Sequence, residues 1–484
     1  MAEAPPAITV PEGFTLHTEN TSHILLPATN EAFLNPVQEF NRDLSVAAIR
    51  VWSEELNREK EGKWRKALER KTKQTSGSAR PSDKKRRKLE DGSKAPLVAE
   101  GETGAVSSEA VPEASETPEV PAESSAVSEK SQAKGGEYRP YKFVLLEALS
   151  ATGLRSIRYA KEIPLVKYVI ANDLSASATA AMKRNVDLNG LGTSDSDAAL
   201  EAAASAEKPE SHKSKPAKVR LNEGDARSLM YAHSLERNRV DVVDLDPYGT
   251  AAPFIDAAVQ CINDGGLLCV TCTDLSVLAT NNYPEKCYSN YGGVPVKAEY
   301  CHETALRLVL HTISTSAARY GRFIQPMLSL SIDFYVRLFV KVQSAPIKVK
   351  EAASQTSVYY VCSTCQSFYG QSFGKKIEKV NERSGNVNVL FKTQMGPPVS
   401  EKCPECESAM HLAGPMWAGP IHDHSFTAKL LEHVEANESK YGTSTRMKGM
   451  LTVANEELDV PFYFTPSRVA SYFHCTCPPL DDVA

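Results

Sequence analysis

A chain of 484 residues with 42% hydrophobic content is long enough for two or three domains and can bury a core. Its net charge of -5 gives no global sign of polyanion binding, although acidic linkers can mask a basic face. No apolar run reaches the roughly 18 residues of a membrane span, and the first residues lack the blocks of a secretory signal, so a soluble intracellular protein is predicted. Eleven cysteines, four of them in two Cys-x-x-Cys pairs, fit reduced thiols and a metal better than a disulfide framework.

Residues 8 to 40 read as a strand pair and a turn ending at Phe33-Leu34-Asn35-Pro36. Asn41 to Ile49 then reads as a capped helix start, with Asp43 as the N-cap and the helix reaching about Leu56. Arg42, just before that cap, suits a carboxylate or phosphate partner; a solvated surface arginine is the plainer local reading. From Asn57 to Gly136 the composition shifts to Lys, Glu, Ser, Ala and Pro with almost no aromatics, too little apolar surface to offset the entropy of ordering. This predicts a disordered linker over 57–137. Within it, Lys84-Lys85-Arg86-Arg87-Lys88 matches a nuclear localisation signal or a loose RNA contact, solvated linker charge being the plainer reading.

Order resumes at Tyr138. Phe143-Val144-Leu145-Leu146 predicts a strand ending at Glu147, and Ala148 to Arg155 is a small-residue loop entering a helix, where a backbone can approach a ligand closely. Tyr168 to Asp173 predicts a second strand whose Asp173 lies 26 residues beyond Glu147, near the spacing of a ribose-binding carboxylate. A helix from about Ser175 to Leu188 and a low-complexity insert over 190–218 follow. A third strand leads to Asp225-Ala226, where a carboxylate and a backbone N–H can read an adenine edge.

The β-branched run Val240 to Leu245 then delivers Asp246-Pro247-Tyr248-Gly249 to the carboxyl edge of the predicted sheet, where open α/β sheets bind ligands. An exocyclic amine on a flat ring is a poor nucleophile because its lone pair is delocalised. Carboxylate and backbone oxygens that accept its N–H bonds, with an aromatic face to stack on, favour its reaction. Asp246 is therefore the first catalytic candidate, with Pro247 and Tyr248 beside it; a plain strand followed by a proline turn is the bland alternative. Gly265 to Cys272 supplies a fifth strand, and the strand–helix alternation predicts a parallel sheet with right-handed crossovers. Tyr300 to Tyr320 has helical spacing. Residues 328–340 alternate at period two and predict extended structure leading into a second domain. There Cys362-x-x-Cys365 and Cys403-x-x-Cys406 predict a structural zinc site, with a 37-residue spacing longer than in compact zinc ribbons.

With these residues in hand the chain resembles the tRNA guanine-N2 dimethyltransferase family, through Phe40-Asn41-Arg42-Asp43-Leu44-Ser45, Glu147 to Arg155 and Asp246-Pro247-Tyr248-Gly249. The resemblance implies an α/β fold: a Rossmann-like class I methyltransferase domain over 138–344 with residues 1–56 packed on it. A smaller C-terminal α+β domain over 345–484 would carry Zn2+ and bind tRNA. It implies transfer of one and then two methyl groups from S-adenosylmethionine to N2 of guanine 26 in tRNA. Methyl-donor contacts are implied at Arg42, Arg155, Asp173, Asp225 and Ala226, with Asp246 at the target amine. It also implies a nuclear location, with a mitochondrial share. Similar eukaryotic proteins continue with basic sequence past Phe473 to Cys477, whereas this sequence stops at Ala484, which predicts weakened tRNA affinity.

Two other readings are consistent with the residues alone. The acid-proline-aromatic order also serves amino-methyltransferases of DNA adenine or protein glutamine. A non-catalytic tRNA-binding protein or chaperone needs no donor pocket, and so leaves Arg155, Asp173, Asp225 and Asp246 without a purpose.

Overall fold

The computed structural model describes residues 8–28, 34–76, 137–192, 216–383 and 385–482. Phe33, the expected disorder of 77–136, the basic run Lys84 to Lys88 and the body of the expected insert, 193–215, lie outside the described residues. The chain divides into two compact units, residues 1–59 with 140–484, and residues 60–139. Among the described residues no helix is long and apolar enough to cross a membrane.

The first unit begins with the antiparallel hairpin β1 (Phe14–Glu19) and β2 (Ser22–Pro27), as expected. Helix α1 (Glu39–Ser76) departs from expectation at both ends. Its entry is a 3-10 turn, Pro36–Gln38, capped by the Asn35 side chain. Asp43 is no N-cap: it is buried inside the helix and paired with Arg158 at 2.7 Å, a partner that local capping rules cannot see. The helix also runs past Leu56 into the stretch read as disordered. Lys, Glu, Arg and Ala are good helix formers as well as linker residues, and i,i+4 pairs such as Arg65 to Glu61 at 2.6 Å support this solvated part, which lies in the second unit.

The main sheet follows the predicted alternation: β3 (Phe143–Glu147), α2 (Leu154–Glu162), β4 (Val166–Asp173), α3 (Ala176–Leu188), β5 (Val219–Glu223), α4 (Ala226–Ala232), β6 (Val240–Leu245), α5 (Ala252–Cys261) and β7 (Ile262–Cys272). Short helices α6 (Leu275–Leu278) and α7 (Pro284–Tyr291) precede α8 (Cys301–Ala318). The extended stretch proves to be two strands, β8 (Arg322–Ile332) and β9 (Tyr335–Ser344), reversed at Asp333, whose φ is 44°. They complete the sheet instead of leading out of it. The order is β5-β4-β3-β6-β7-β9-β8, with β5 to β7 parallel and β9 antiparallel to both its neighbours.

Both faces are covered, which is why the parallel strands read as continuous apolar runs. Leu145, Val242 and Leu267 enter a core shared with α1, α2 and α3, while Leu146, Val243 and Leu268 enter one shared with α5 and α8. Beyond a short helix α9 (Pro346–Val349), the strands β10 (Thr356–Cys362), β11 (Phe368–Ser372) and β14 (Met410–Trp417) form a three-stranded sheet. Between them, β12 (Gly374–Val380) and β13 (Val387–Thr393) form a separate hairpin. Helices α10 (His424–Glu435), α11 (Ser444–Glu456) and α12 (Pro466–Tyr472) follow, and Phe426, Leu430 and Leu451 join the core that α1 and α2 share.

Candidate active site

The end of β6 carries Asp246-Pro247-Tyr248-Gly249 onto the carboxyl edge of the sheet. Gly249 is left-handed with φ of 80°, and open space surrounds it, so glycine is required there for conformation and not for room. Its N–H donates to Thr273 Oγ1 at 2.7 Å, and its carbonyl accepts from the Thr273 N–H at 2.8 Å, tying the loop to the end of β7. The ring of Tyr248 stands 82% exposed. Asp246 receives the Arg155 guanidinium directly.

Beneath Asp246 lies a buried group of charges. Arg155 sits 3.6 Å from Asp244 and 3.8 Å from Glu147. Arg337, fully buried, pairs with Asp244 at 2.8 Å, and Tyr159 donates its hydroxyl to the same carboxylate at 2.5 Å. Ser45 Oγ, brought in by α1, accepts from Arg155 at 3.2 Å and from Arg337 at 2.8 Å, while Thr271 Oγ1 accepts from Arg337 at 2.9 Å. Burial alone would raise the Asp244 carboxyl; the two guanidiniums outweigh it and hold the group below the usual range. Glu147 goes the other way. Burial pushes it up to about 8, only partly opposed by Arg155 and by the Ser156 hydroxyl it accepts. Two guanidiniums thus face Asp244, Asp246 and Glu147, of which burial favours the protonated form of Glu147.

The neighbouring strand β3 ends in the small-residue loop. Ala151 and Gly153 are left-handed at φ of 46° and 78°, which turns the chain into α2. Asp173 Oδ2 accepts the Ala151 N–H and its Oδ1 accepts the Ser175 N–H, each at 2.9 Å. Asp225 caps α4, accepting from the Arg227 N–H at 2.7 Å, and the Arg227 side chain holds its carboxyl down at about 2. Ala226, buried, opens that helix. Arg42 donates Nε to Glu19 Oε2 at 2.8 Å, and Arg158 joins the same carboxylate at 3.2 Å.

The structure thus brings Arg155 to Asp246 and sets Asp173 and Asp225 along one sheet edge, while Arg42 is engaged by Glu19. Sequence reasoning missed Asp244, Arg337, Ser45, Thr271 and Tyr159. A signal was available for Asp244: with Asp241 it interrupts the apolar run Val240 to Leu245, all of which is buried. Arg337 was read as one of the polar alternates of an extended strand; it is buried because both faces of β9 are covered. A cavity of about 610 Å³, lined by His302, Leu306, His422 and Glu457 among others, contains none of the predicted site residues.

The four cysteines converge. Their Sγ atoms lie within 4.8 Å of one another, with Cys362 to Cys406 at 3.4 Å and Cys365 to Cys403 at 3.6 Å. A tetrahedron with Zn–S bonds of about 2.3 Å has edges of about 3.8 Å, so the donor set fits zinc. Both pairs use the same turn: the Gln366 N–H donates to the Cys362 carbonyl at 2.9 Å and the Glu407 N–H to the Cys403 carbonyl at 2.8 Å. Gln366 and Glu407 are both left-handed, at φ of 66° and 59°.

Residues 13–484 match the family model described as N2,N2-dimethylguanosine tRNA methyltransferase. A mitochondrial tRNA (guanine(26)-N(2))-dimethyltransferase of Saccharomyces cerevisiae is 41% identical over 98% of this chain and 73% of its own length. The Schizosaccharomyces pombe enzyme is also 41% identical, over 96% of this chain and 73% of its own. The human enzyme is 38% identical over 96% of this chain but only 62% of its own length. A solved structure of Trm1 from Pyrococcus horikoshii with S-adenosyl-L-methionine shares the fold with a TM-score of 0.59 at 22% identity, covering 95% of this chain and 88% of that one. Matched by the family model over residues 13–484 and by relatives 41% identical over nearly its whole length, the chain belongs to the N2,N2-dimethylguanosine tRNA methyltransferase family.

Proposed function

We propose that this chain transfers one and then two methyl groups from S-adenosylmethionine to N2 of guanine 26 in tRNA, the reaction for which its fungal and human relatives are named. The observation that carries the reading is a juxtaposition: β3 and β6 are adjacent parallel strands, so the small-residue loop and Asp246-Pro247-Tyr248 leave the same sheet edge side by side. When bound, the donor supplies an electrophilic methyl group. The chain holds the acceptor. Asp246 and the Pro247 carbonyl accept the N–H bonds of the guanine amine, two in the first round and the one remaining in the second, orienting its nitrogen for in-line attack. Each transfer releases one amine proton, and Tyr248 stacks on the base drawn from the tRNA.

In this reading Asp173, Asp225 and the Ala226 N–H line the donor pocket. In place of the direct donor contacts expected of them, Arg155 acts through the Asp246 carboxylate it holds and Arg42 is engaged by Glu19. Residues 138–344 carry out the transfer with residues 1–56 packed on them, and residues 345–484 hold the tRNA. Cys362, Cys365, Cys403 and Cys406 would bind one structural Zn2+, with no position left for a reacting water. The name of the yeast relative supports a mitochondrial pool; nuclear import rests on Lys84 to Lys88 alone.

The test is transfer from labelled S-adenosylmethionine to unmodified tRNA bearing G26, beside a tRNA with A26 and an Asp246→Ala variant. N2-methylated guanosine that disappears in both controls is expected. Donor binding without transfer to any tRNA overturns the substrate, and loss of donor binding altogether overturns the enzyme.

A further inference from the structure

We infer that the hairpin β12–β13, inserted between the two cysteine pairs, is an arm that grips the phosphate backbone of the tRNA through one lysine-bearing face. The inference rests on the reading of tRNA as substrate. In a chain of net charge -5, residues 374–393 carry Lys375, Lys376, Lys379, Arg383 and Lys392 against only Glu378 and Glu382. The register sorts these charges. Lys375 pairs with Lys392, Ile377 with Leu390 and Lys379 with Asn388, and side chains directly opposite each other share a face. One face therefore presents Lys375, Lys379 and Lys392, all exposed.

The other face is held at its base, where a Cβ on Gly374 would meet the Ala353 Cβ at 2.9 Å and Lys376 reaches Glu351 at 2.9 Å; farther along it Val380, Val387, Val389 and Phe391 are exposed. The lysine face is the one opposite this contact with residues 351–354. Among the described residues none of its three lysines makes an ion pair, whereas Lys376 on the inner face makes two. Two features speak against solvated lysines whose task is to keep an edge from aggregating. Like charges directly opposite each other, as at Lys375 and Lys392, destabilise a hairpin, and an isolated two-stranded ribbon is marginal already. Dispersed charge would protect the edge without that cost. A row of phosphates supplies the missing counter-charge, and neutralising it releases condensed cations.

The experiment compares the full-length chain with a Lys375→Glu, Lys379→Glu, Lys392→Glu triple variant and with the corresponding triple Arg variant. Expected for the Glu variant are a Kd for unmodified tRNA raised at least about ten-fold, a raised KM and an unchanged kcat at saturating tRNA. The dependence of log K on log salt should become shallower by about two to three, one contact per lysine lost. S-adenosylmethionine affinity should stay at the wild-type value, and the Arg variant should keep wild-type tRNA binding. A Glu variant with wild-type tRNA affinity and salt slope overturns the arm, including the case where the face serves an acidic polypeptide instead. An Arg variant as weak as the Glu variant overturns it too, because positive charge would then not be what matters. Transfer of methyl groups by the wild type alongside either result confines the failure to the arm. Wild-type chain that binds tRNA through these lysines yet methylates no guanine upholds the arm and overturns the enzymatic reading.

Discussion

Arg155 on α2 and Asp246 at the end of β6 form a direct guanidinium–carboxylate pair, and the same guanidinium is shared with Asp244 and Glu147 below. Asp246 is thereby fixed by a side chain that is itself fixed from several sides. Replacing Arg155 with Gln leaves Asp246 free to rotate while keeping a polar group of similar length. Expected is a fall in kcat of about ten- to a hundred-fold with the KM for tRNA little changed, since only the orientation of the amine is lost. Lysine at this position should recover a minor part, because it lacks the planar fork that spans the carboxylates. An Arg155→Gln enzyme that loses donor affinity while keeping kcat at saturating donor would instead place Arg155 against S-adenosylmethionine.

Arg337 and Asp244 form a second pair, wholly removed from water at 2.8 Å. Removing one partner strands the other charge, which costs about 3–5 kcal/mol in comparable buried pairs. Arg337→Met should accordingly lower the denaturant midpoint strongly. The double variant Arg337→Met with Asp244→Asn should recover much of the loss, because no ion is then left uncompensated. Equal destabilisation of the single and double variants would show that packing, not charge, dominates the site.

How far the sequence carried the reading depends on the range of the interaction. Strands β3 to β6 were legible because each is a short run closed by an acid, β7 because it is a further apolar run after a helix, and the order of such runs defines a parallel sheet. The cysteine turns were legible because both members of each pair lie within one turn. The partners of Asp244 and Asp43 were not: Arg337 lies on an antiparallel strand beyond the parallel series, and Arg158 belongs to a helix whose face is set only by packing. Helix α1 beyond Leu56 was misread because its composition suits both a solvated helix and a linker, and only ordered neighbours distinguish them.

Glu147 makes stability depend on pH in a definite direction. Burial raises its carboxyl in the folded chain to about 8 from an ordinary value of 4.5. Between those values the folded state holds a proton that the unfolded state has released. Its contribution is therefore full below about pH 4.5, declines as pH rises and is lost by about pH 8. Glu147→Gln mimics the protonated form and should remove this slope. Denaturant midpoints of wild type and variant, measured between pH 5.5 and 8.5, should diverge with rising pH in favour of the variant. Parallel curves would mean that Glu147 ionises normally inside the fold.

Zinc at the four cysteines should be separable from the transfer chemistry. The cluster joins the ends of β10 and the Cys403 turn, whereas Asp246 stands on the main sheet. One zinc per chain is expected by elemental analysis, released in full when the thiols are blocked. Cys403→Ser should lower zinc content and loosen β10, β11 and β14, read as faster amide exchange there, because metal binding in such turns contributes directly to folding. S-adenosylmethionine affinity should hold while tRNA affinity falls, the lysine hairpin being inserted between the same cysteine pairs. A zinc-free chain with unaltered amide protection in these strands would show that the four thiols hold the turns together without a metal.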